Sequence, residues 1–189
     1  MEKDSAIQIL QLQRKKLRRN TNMKSRIALS VLFVLIAATA FAADTAVTQS
    51  DAQKSFDKLK TLAGSWEGSF EGKPLHVTLR VTSMGNAVMH EMNGGGPEDP
   101  ITMFNLDADR LLLTHYCDAG NRPRMVGKMS PDGKTLDFDF LDVSGSTKQG
   151  HMQHVTINFI DADHHTEKWE FAMADGKTEG GLVDLKRSK

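Results

Sequence analysis

A single cysteine, Cys117, stands in the 189 residues, so no intramolecular disulfide can form and the fold must be held by its core. As a residue type in that position, Cys117 reads first as a small buried hydrophobe. A membrane-length apolar run is missing as well. The largely apolar stretch Ile27 to Ala40 has 14 residues, short of the about 20 that a helical span requires. Basic charge is not in excess: 24 Lys and Arg balance 24 Asp and Glu, with no basic stripe downstream of residue 42. Nucleic acid, which needs clustered Lys and Arg, is therefore excluded as a partner. There is no serine nucleophile elbow, no phosphate-cradling glycine loop and no dinucleotide fingerprint. Gly94-Gly95-Gly96 lacks the strand-to-helix setting that a phosphate site demands.

What is present begins with an export signature. Arg14, Lys15, Lys16, Arg18, Arg19, Lys24 and Arg26 precede the apolar stretch, which ends in Ala40-Phe41-Ala42. A basic segment, a short apolar segment and small residues at −3 and −1 are the parts of a secretory signal peptide. We expect residues 1–42 to be that signal, 43–49 a flexible leader and 50–189 the folded domain, secreted or periplasmic after cleavage near Ala42. Met23-Lys24-Ser25-Arg26 would serve as a compact basic segment too, so Met1 and Met23 both stand as candidate starts. The alternative is an uncleaved N-terminal anchor; otherwise the membrane is a partner only during export. Cleavage leaves 147 residues with 16 basic and 22 acidic side chains, a formal net charge of −6 and room for one real core.

Ser50-Asp51-Ala52-Gln53 has the form of a capping box. Phe56, Leu59 and Leu62 follow at helical spacing, and Gly64 is placed to end the helix in a left-handed conformation. From Trp66 onward the pattern is strand and turn. Leu75, Val77, Leu79 and Val81 alternate with polar residues, as do Leu136, Phe138 and Phe140, and Val155, Ile157 and Phe159. Trp169, Phe171 and Met173 share a face. Ser130-Pro131-Asp132-Gly133 and Asp175-Gly176 are turn signals. Nine or ten short strands with hairpin connections and no helical crossover exclude a parallel α/β sheet. The expected fold is all-β, an up-and-down antiparallel β-barrel behind one short N-terminal helix; a β-sandwich is the alternative.

Gly64-Ser65-Trp66, a Gly-x-Trp entering the first strand after a short helix, resembles the calycin superfamily of lipocalins and fatty-acid-binding proteins. That resemblance implies that Trp66 closes one end of the barrel and that a basic residue of the last strand, Lys186 or Arg187, packs across its ring. The Thr-Asp-Tyr motif and disulfide pattern of true lipocalins are absent. Residues 55–186 are more closely similar to exported bacterial proteins with a lipocalin-like domain. They share the Leu62-Ala63-Gly64-Ser65-Trp66-Glu67-Gly68 opening, Leu113-Thr114-His115-Tyr116-Cys117 and Asn121-Arg122-Pro123-Arg124-Met125.

Thr114 to Cys117 is the densest run of reactive side chains, and on a strand His115 shares a face with Leu113 and Cys117. Arg124 on the next strand is a candidate buried cation for a ligand carboxylate. Contacts to a small apolar or amphipathic ligand are expected from His90, Met103, His115, Tyr116, Cys117, Arg124 and Trp169, with Trp66 and Arg187 closing the barrel. Eight methionines from Met84 to Met173 suit an adaptable wall or an ordinary core.

No metal site is expected. His151 and His154 point to opposite sides of a strand unless a bulge intervenes, and His164-His165 beside Asp161 and Asp163 reads as a solvated turn. Haem stays open as a cofactor, since it needs one axial histidine in an apolar cavity. The reading is of a binding module rather than an enzyme. Its alternatives are a filled structural barrel, a haem or metal carrier, and an enzyme using His115 with Tyr116 or Cys117.

Overall fold

Helix α1 (Asp51–Lys60) begins where Ser50 Oγ accepts a hydrogen bond from the Gln53 amide at 3.1 Å. Only half of the capping box forms, because the Gln53 side chain donates to Asp57 at 3.0 Å instead of reaching back. Asp51 in the first turn and Lys58 and Lys60 in the last complement the helix dipole. The computed structural model describes Arg14, Lys15 and residues 48–188. Apart from Arg14 and Lys15, the expected signal peptide lies outside these residues, as does most of the leader.

Ten strands follow: β1 (Gly64–Phe70), β2 (Lys73–Thr82), β3 (Ala87–Asn93), β4 (Ile101–Asp107) and β5 (Arg110–Tyr116), then β6 (Asn121–Met129), β7 (Thr135–Gly145), β8 (His151–Asp161), β9 (His164–Ala172) and β10 (Thr178–Arg187). Each pairs antiparallel with its neighbours in sequence, and β10 returns to β1, so the sheet is a closed up-and-down barrel. The expected all-β class, strand number and helix are those of the structure. The seam is narrow, with Trp66 opposite Arg187 and Glu67 opposite Lys186. Gly68 permits it: a Cβ there would stand 2.3 Å from the Asp184 carbonyl oxygen on β10.

Alternate connections fall at the same end of a meander. The β4–β5, β6–β7 and β8–β9 hairpins share the end covered by α1, whose Phe56 and Leu59 are buried there with Leu62 and Trp66. The other end is framed by the β1–β2, β3–β4, β5–β6, β7–β8 and β9–β10 connections. Between the two lies the core, with Leu79, Val88, Phe104, Leu113, Phe138 and Ile157 at or near zero exposure. Burying each such side chain is worth roughly 1.5–3 kcal/mol, so the missing disulfide is no handicap.

Gly64 does not cap the helix. Thr61 does, in a right-handed conformation, and Gly64 opens β1 at φ +140°. Its missing side chain makes room for Arg187, whose Nη1 lies 2.4 Å from where a Cβ would stand. Among the described residues no helix is long and apolar enough to cross a membrane.

Candidate functional site

Strand β9 turns His165, Glu167 and Trp169 toward the barrel axis by simple alternation, and all three are buried. Glu167 has no solvent exposure. Its carboxylate accepts from His90 Nε2 at 3.0 Å, from His165 Nε2 at 3.1 Å and from Trp169 Nε1 at 2.9 Å. Burial alone would raise the Glu167 pKa, but the charge and hydrogen bonds of His90 and His165 outweigh it and hold the carboxyl well below its ordinary range. The Nδ1 atoms of His90 and His165 have no partner among the described residues.

Toward the helix, the His165 ring meets Trp66 edge-on at 4.2 Å between centroids. Trp66 Nε1 donates to the Leu62 carbonyl at 2.8 Å, and the Arg187 guanidinium carbon lies 4.1 Å from the Trp66 ring centroid. Arg187 also donates to the carbonyls of Ala63, Thr61 and Ala162 at 2.8, 3.2 and 3.0 Å and to the Asp163 carboxylate at 3.1 Å. One side chain thus ties the chain after α1 to the β8–β9 hairpin and the indole. Lys186, the other candidate, pairs in register with Glu67.

Toward the opposite end the barrel is not filled. A cavity of about 780 Å³ opens there, walled by Leu75, Met92, Met152, Trp169, Phe171 and Val183. Nearer its mouth lie Phe70, Pro100, Cys117 and Met173, with the carboxylates of Glu71, Asp118 and Glu179. Among the described residues no lysine or arginine lines it. This volume falls within the about 300–1,000 Å³ usual for small-molecule sites.

His115 faces this space from β5. Its Nδ1 is paired with Thr102 Oγ1 at 2.8 Å, Thr102 being its register partner on β4. Nε2 has no protein partner among the described residues. Burial, reinforced by the charge of His90, pushes the His115 pKa down to about 4, so the imidazole is neutral at physiological pH. Burial likewise pushes the Cys117 thiol up, keeping it a thiol. Trp169 joins the two layers. Its ring is 5.5 Å from His115 and 5.5 Å from His90, while its indole N–H holds Glu167.

Of the residues expected to meet a ligand, the structure brings His115, Cys117 and Trp169 to the cavity. His90 lies deeper, on Glu167. Tyr116 is 47% exposed on the outer face of β5, one residue out of phase with His115. Met103 likewise alternates with the buried Thr102 and Phe104 and faces outward. Arg124 is no buried cation. Met125 takes the inward position, and Arg124 reaches across to β7, where it forms a half-exposed forked ion pair with Asp142.

The histidine pairs also resolve. A bulge in β8 does intervene between Met152 and His154, yet His151 stacks on Phe140 while His154 sits between Asp137 and Asp139. His164 reaches Asp184, but His165 is fully buried rather than solvated. His90, His165 and Glu167 meet as hydrogen-bond partners; among the described residues no three His, Cys, Asp or Glu side chains are arranged to hold a metal ion. Glu167 is the residue that sequence reasoning passed over. Its signal was a carboxylate in phase with Trp169 and Phe171 on an otherwise apolar face.

No family model matches the chain, and no curated protein does. Among solved structures it is similar to Rv2717c from M. tuberculosis, with 14% identity and a TM-score of 0.48 over 71% of this chain and 98% of that one. It is also similar to a protein of unknown function of the DUF3598 family from Nostoc punctiforme, with 12% identity and a TM-score of 0.48 over 69% of this chain. The match spans about half (49%) of the length of that second protein. At such identities and scores neither likeness says anything of function.

Proposed function

We propose that this chain is an exported, lipocalin-like carrier or sensor that holds one small apolar or amphipathic molecule in the open half of its barrel, without transforming it. The observation that carries this reading is the cavity of about 780 Å³, with aromatic and thioether walls and one neutral imidazole among them. A filled structural barrel would leave no such space. Thioether and indole walls accommodate varied apolar shapes, and the few polar groups orient the occupant.

Haem is the competing occupant, because neutral His115 is the kind of axial ligand it takes. Against it, the propionates would approach Glu71, Asp118 and Glu179 at the mouth. Equilibrium titration of the purified domain with an environment-sensitive apolar fluorophore, a retinoid and haem tests the reading. One-to-one saturable binding of an apolar probe, lost when Met92→Trp fills the cavity, supports it. Absence of saturation by every probe, or binding that Met92→Trp leaves unchanged, counts against it.

A further inference from the structure

We infer that this cavity discriminates by charge, accepting an apolar body that carries an amine or quaternary ammonium, or an uncharged polar head, and excluding carboxylates. The inference rests on the binding reading above and names the ligand class of the same site.

Three observations converge. First, among the described residues the charged groups on the cavity surface are all of one sign: Glu71 on the β1–β2 turn, Asp118 after β5 and Glu179 on β10 approach the mouth from separate elements. Burial, then repulsion from Asp99 and Glu98, raises the Asp118 pKa, so negative charge is crowded there beyond the lining itself. Of the cations at that end of the barrel, Lys73, Arg122 and Lys148 are not among the residues of the lining. Lys177 is engaged by Asp175, and Arg124, the side chain best suited to a carboxylate, is on the outer surface with Asp142.

Second, the polar group deeper in is an uncharged one. His115 is 5% exposed, its Nδ1 is occupied by Thr102, and among the described residues Nε2 has no partner in the cavity wall. A neutral imidazole held this way offers one hydrogen bond to a hydroxyl, carbonyl or amine but no counter-charge to an acid.

Third, the walls carry aromatic rings. Trp169, Phe171 and Phe70 line the same space, and a cation over the face of such a ring is attracted by its quadrupole while an anion there is repelled. An alkyl body between Met92, Met152 and Val183 with its ammonium at the acidic mouth satisfies all three. A molecule with a phosphate or carboxylate head meets like charge at the mouth and no counter-charge deeper in.

The test uses three monomeric amphiphiles of one chain length below their micelle concentrations: the alkylamine, the alcohol and the carboxylate. Their competition against a bound neutral fluorophore is measured at neutral pH in low salt, then in high salt. The amine and alcohol are expected to bind at least about tenfold more tightly than the carboxylate, the size of gap that a few like charges at exposed positions around an apolar cavity produce. The gap should narrow in high salt and in the Glu71→Gln/Asp118→Asn/Glu179→Gln variant, with alcohol affinity unchanged. A carboxylate that binds as tightly as the amine, or a gap that survives the triple substitution, overturns the charge rule while leaving the binding reading standing. If the fluorophore itself does not bind, the cavity reading fails and the charge rule with it.

Discussion

Trp169 donates its indole hydrogen to Glu167 at 2.9 Å while its ring walls the cavity, so a buried carboxylate fixes the orientation of a ligand-facing surface. The open half and the plugged half of the barrel are mechanically joined through that bond. Alternation along β9 alone accounts for it, since residues 165, 167 and 169 share a face.

Removing the carboxylate should therefore cost stability first. Glu167→Leu leaves His90, His165 and Trp169 with buried donors and no acceptor, and the expected loss is about 3–5 kcal/mol in urea unfolding. Trp169→Phe removes one donor and keeps a smaller aromatic ring, and should cost only about 1–2 kcal/mol. A Glu167→Leu protein within about 1 kcal/mol of the parent would contradict the cluster's role.

Acid should weaken the fold in two stages. The His115 pKa lies at about 4 in the folded state against 6.5 ordinarily, so below pH 6.5 the unfolded chain takes up a proton that the folded chain refuses. Stability conferred above 6.5 is lost as pH falls through that window, at a limiting slope of about 1.4 kcal/mol per pH unit. Glu167, depressed from 4.5, adds a further loss below that value, because protonation must then accompany unfolding. His115→Gln should flatten the first stage and leave the second. Urea midpoints taken across the pH range read both.

Arg187 should behave as a latch that only its own geometry can serve. It stacks on Trp66 and donates to three carbonyls from two segments. Arg187→Lys keeps the charge but not the planar fork, and is expected to lose about 1–3 kcal/mol, close to the loss in Arg187→Ala. Gly64→Ala should resemble them, since the new methyl collides with the guanidinium. Hydrogen exchange at the C-terminal turn of α1 should accelerate in all three variants. Full protection in Arg187→Lys would argue against the latch.

Asn121 pins the mouth. Its buried side-chain amide donates to the carbonyls of Ser146 and Gly150 at 2.8 Å each, holding the β7–β8 loop to the start of β6. Asn121→Ala should lower stability by about 1–3 kcal/mol and speed exchange across 146–150 while the α1 end stays protected. Uniform acceleration over the whole chain would mean that Asn121 serves the core and not the loop.

The helix, the strand series, the barrel and the shared face of His115 and Cys117 are legible in the sequence because each depends on neighbours in the chain. Ser50 capping Gln53 and the Leu75–Val77–Leu79 alternation are local facts. Glu167 is not legible in that way. One of its partners, His90, is 77 residues distant, and nothing in the spacing of either residue announces the other. Alternation does say that Tyr116 opposes His115; including both in one site set that rule aside, and the structure restores it. Gly64 reads as a helix terminator by position, but its reason is a guanidinium from the far end of the chain. The acidic mouth was hidden for the same reason, being assembled from two connections and the start of β10, which only barrel closure brings together.

The most direct test exploits the two tryptophans, Trp169 on the cavity and Trp66 under the helix, whose indole N–H resonances can be followed separately during titration with an apolar ligand. Binding in the open half should move the Trp169 signal in step with occupancy and leave Trp66 in place. A saturating ligand that shifts neither indole, or shifts Trp66 alone, would contradict a ligand site in this cavity.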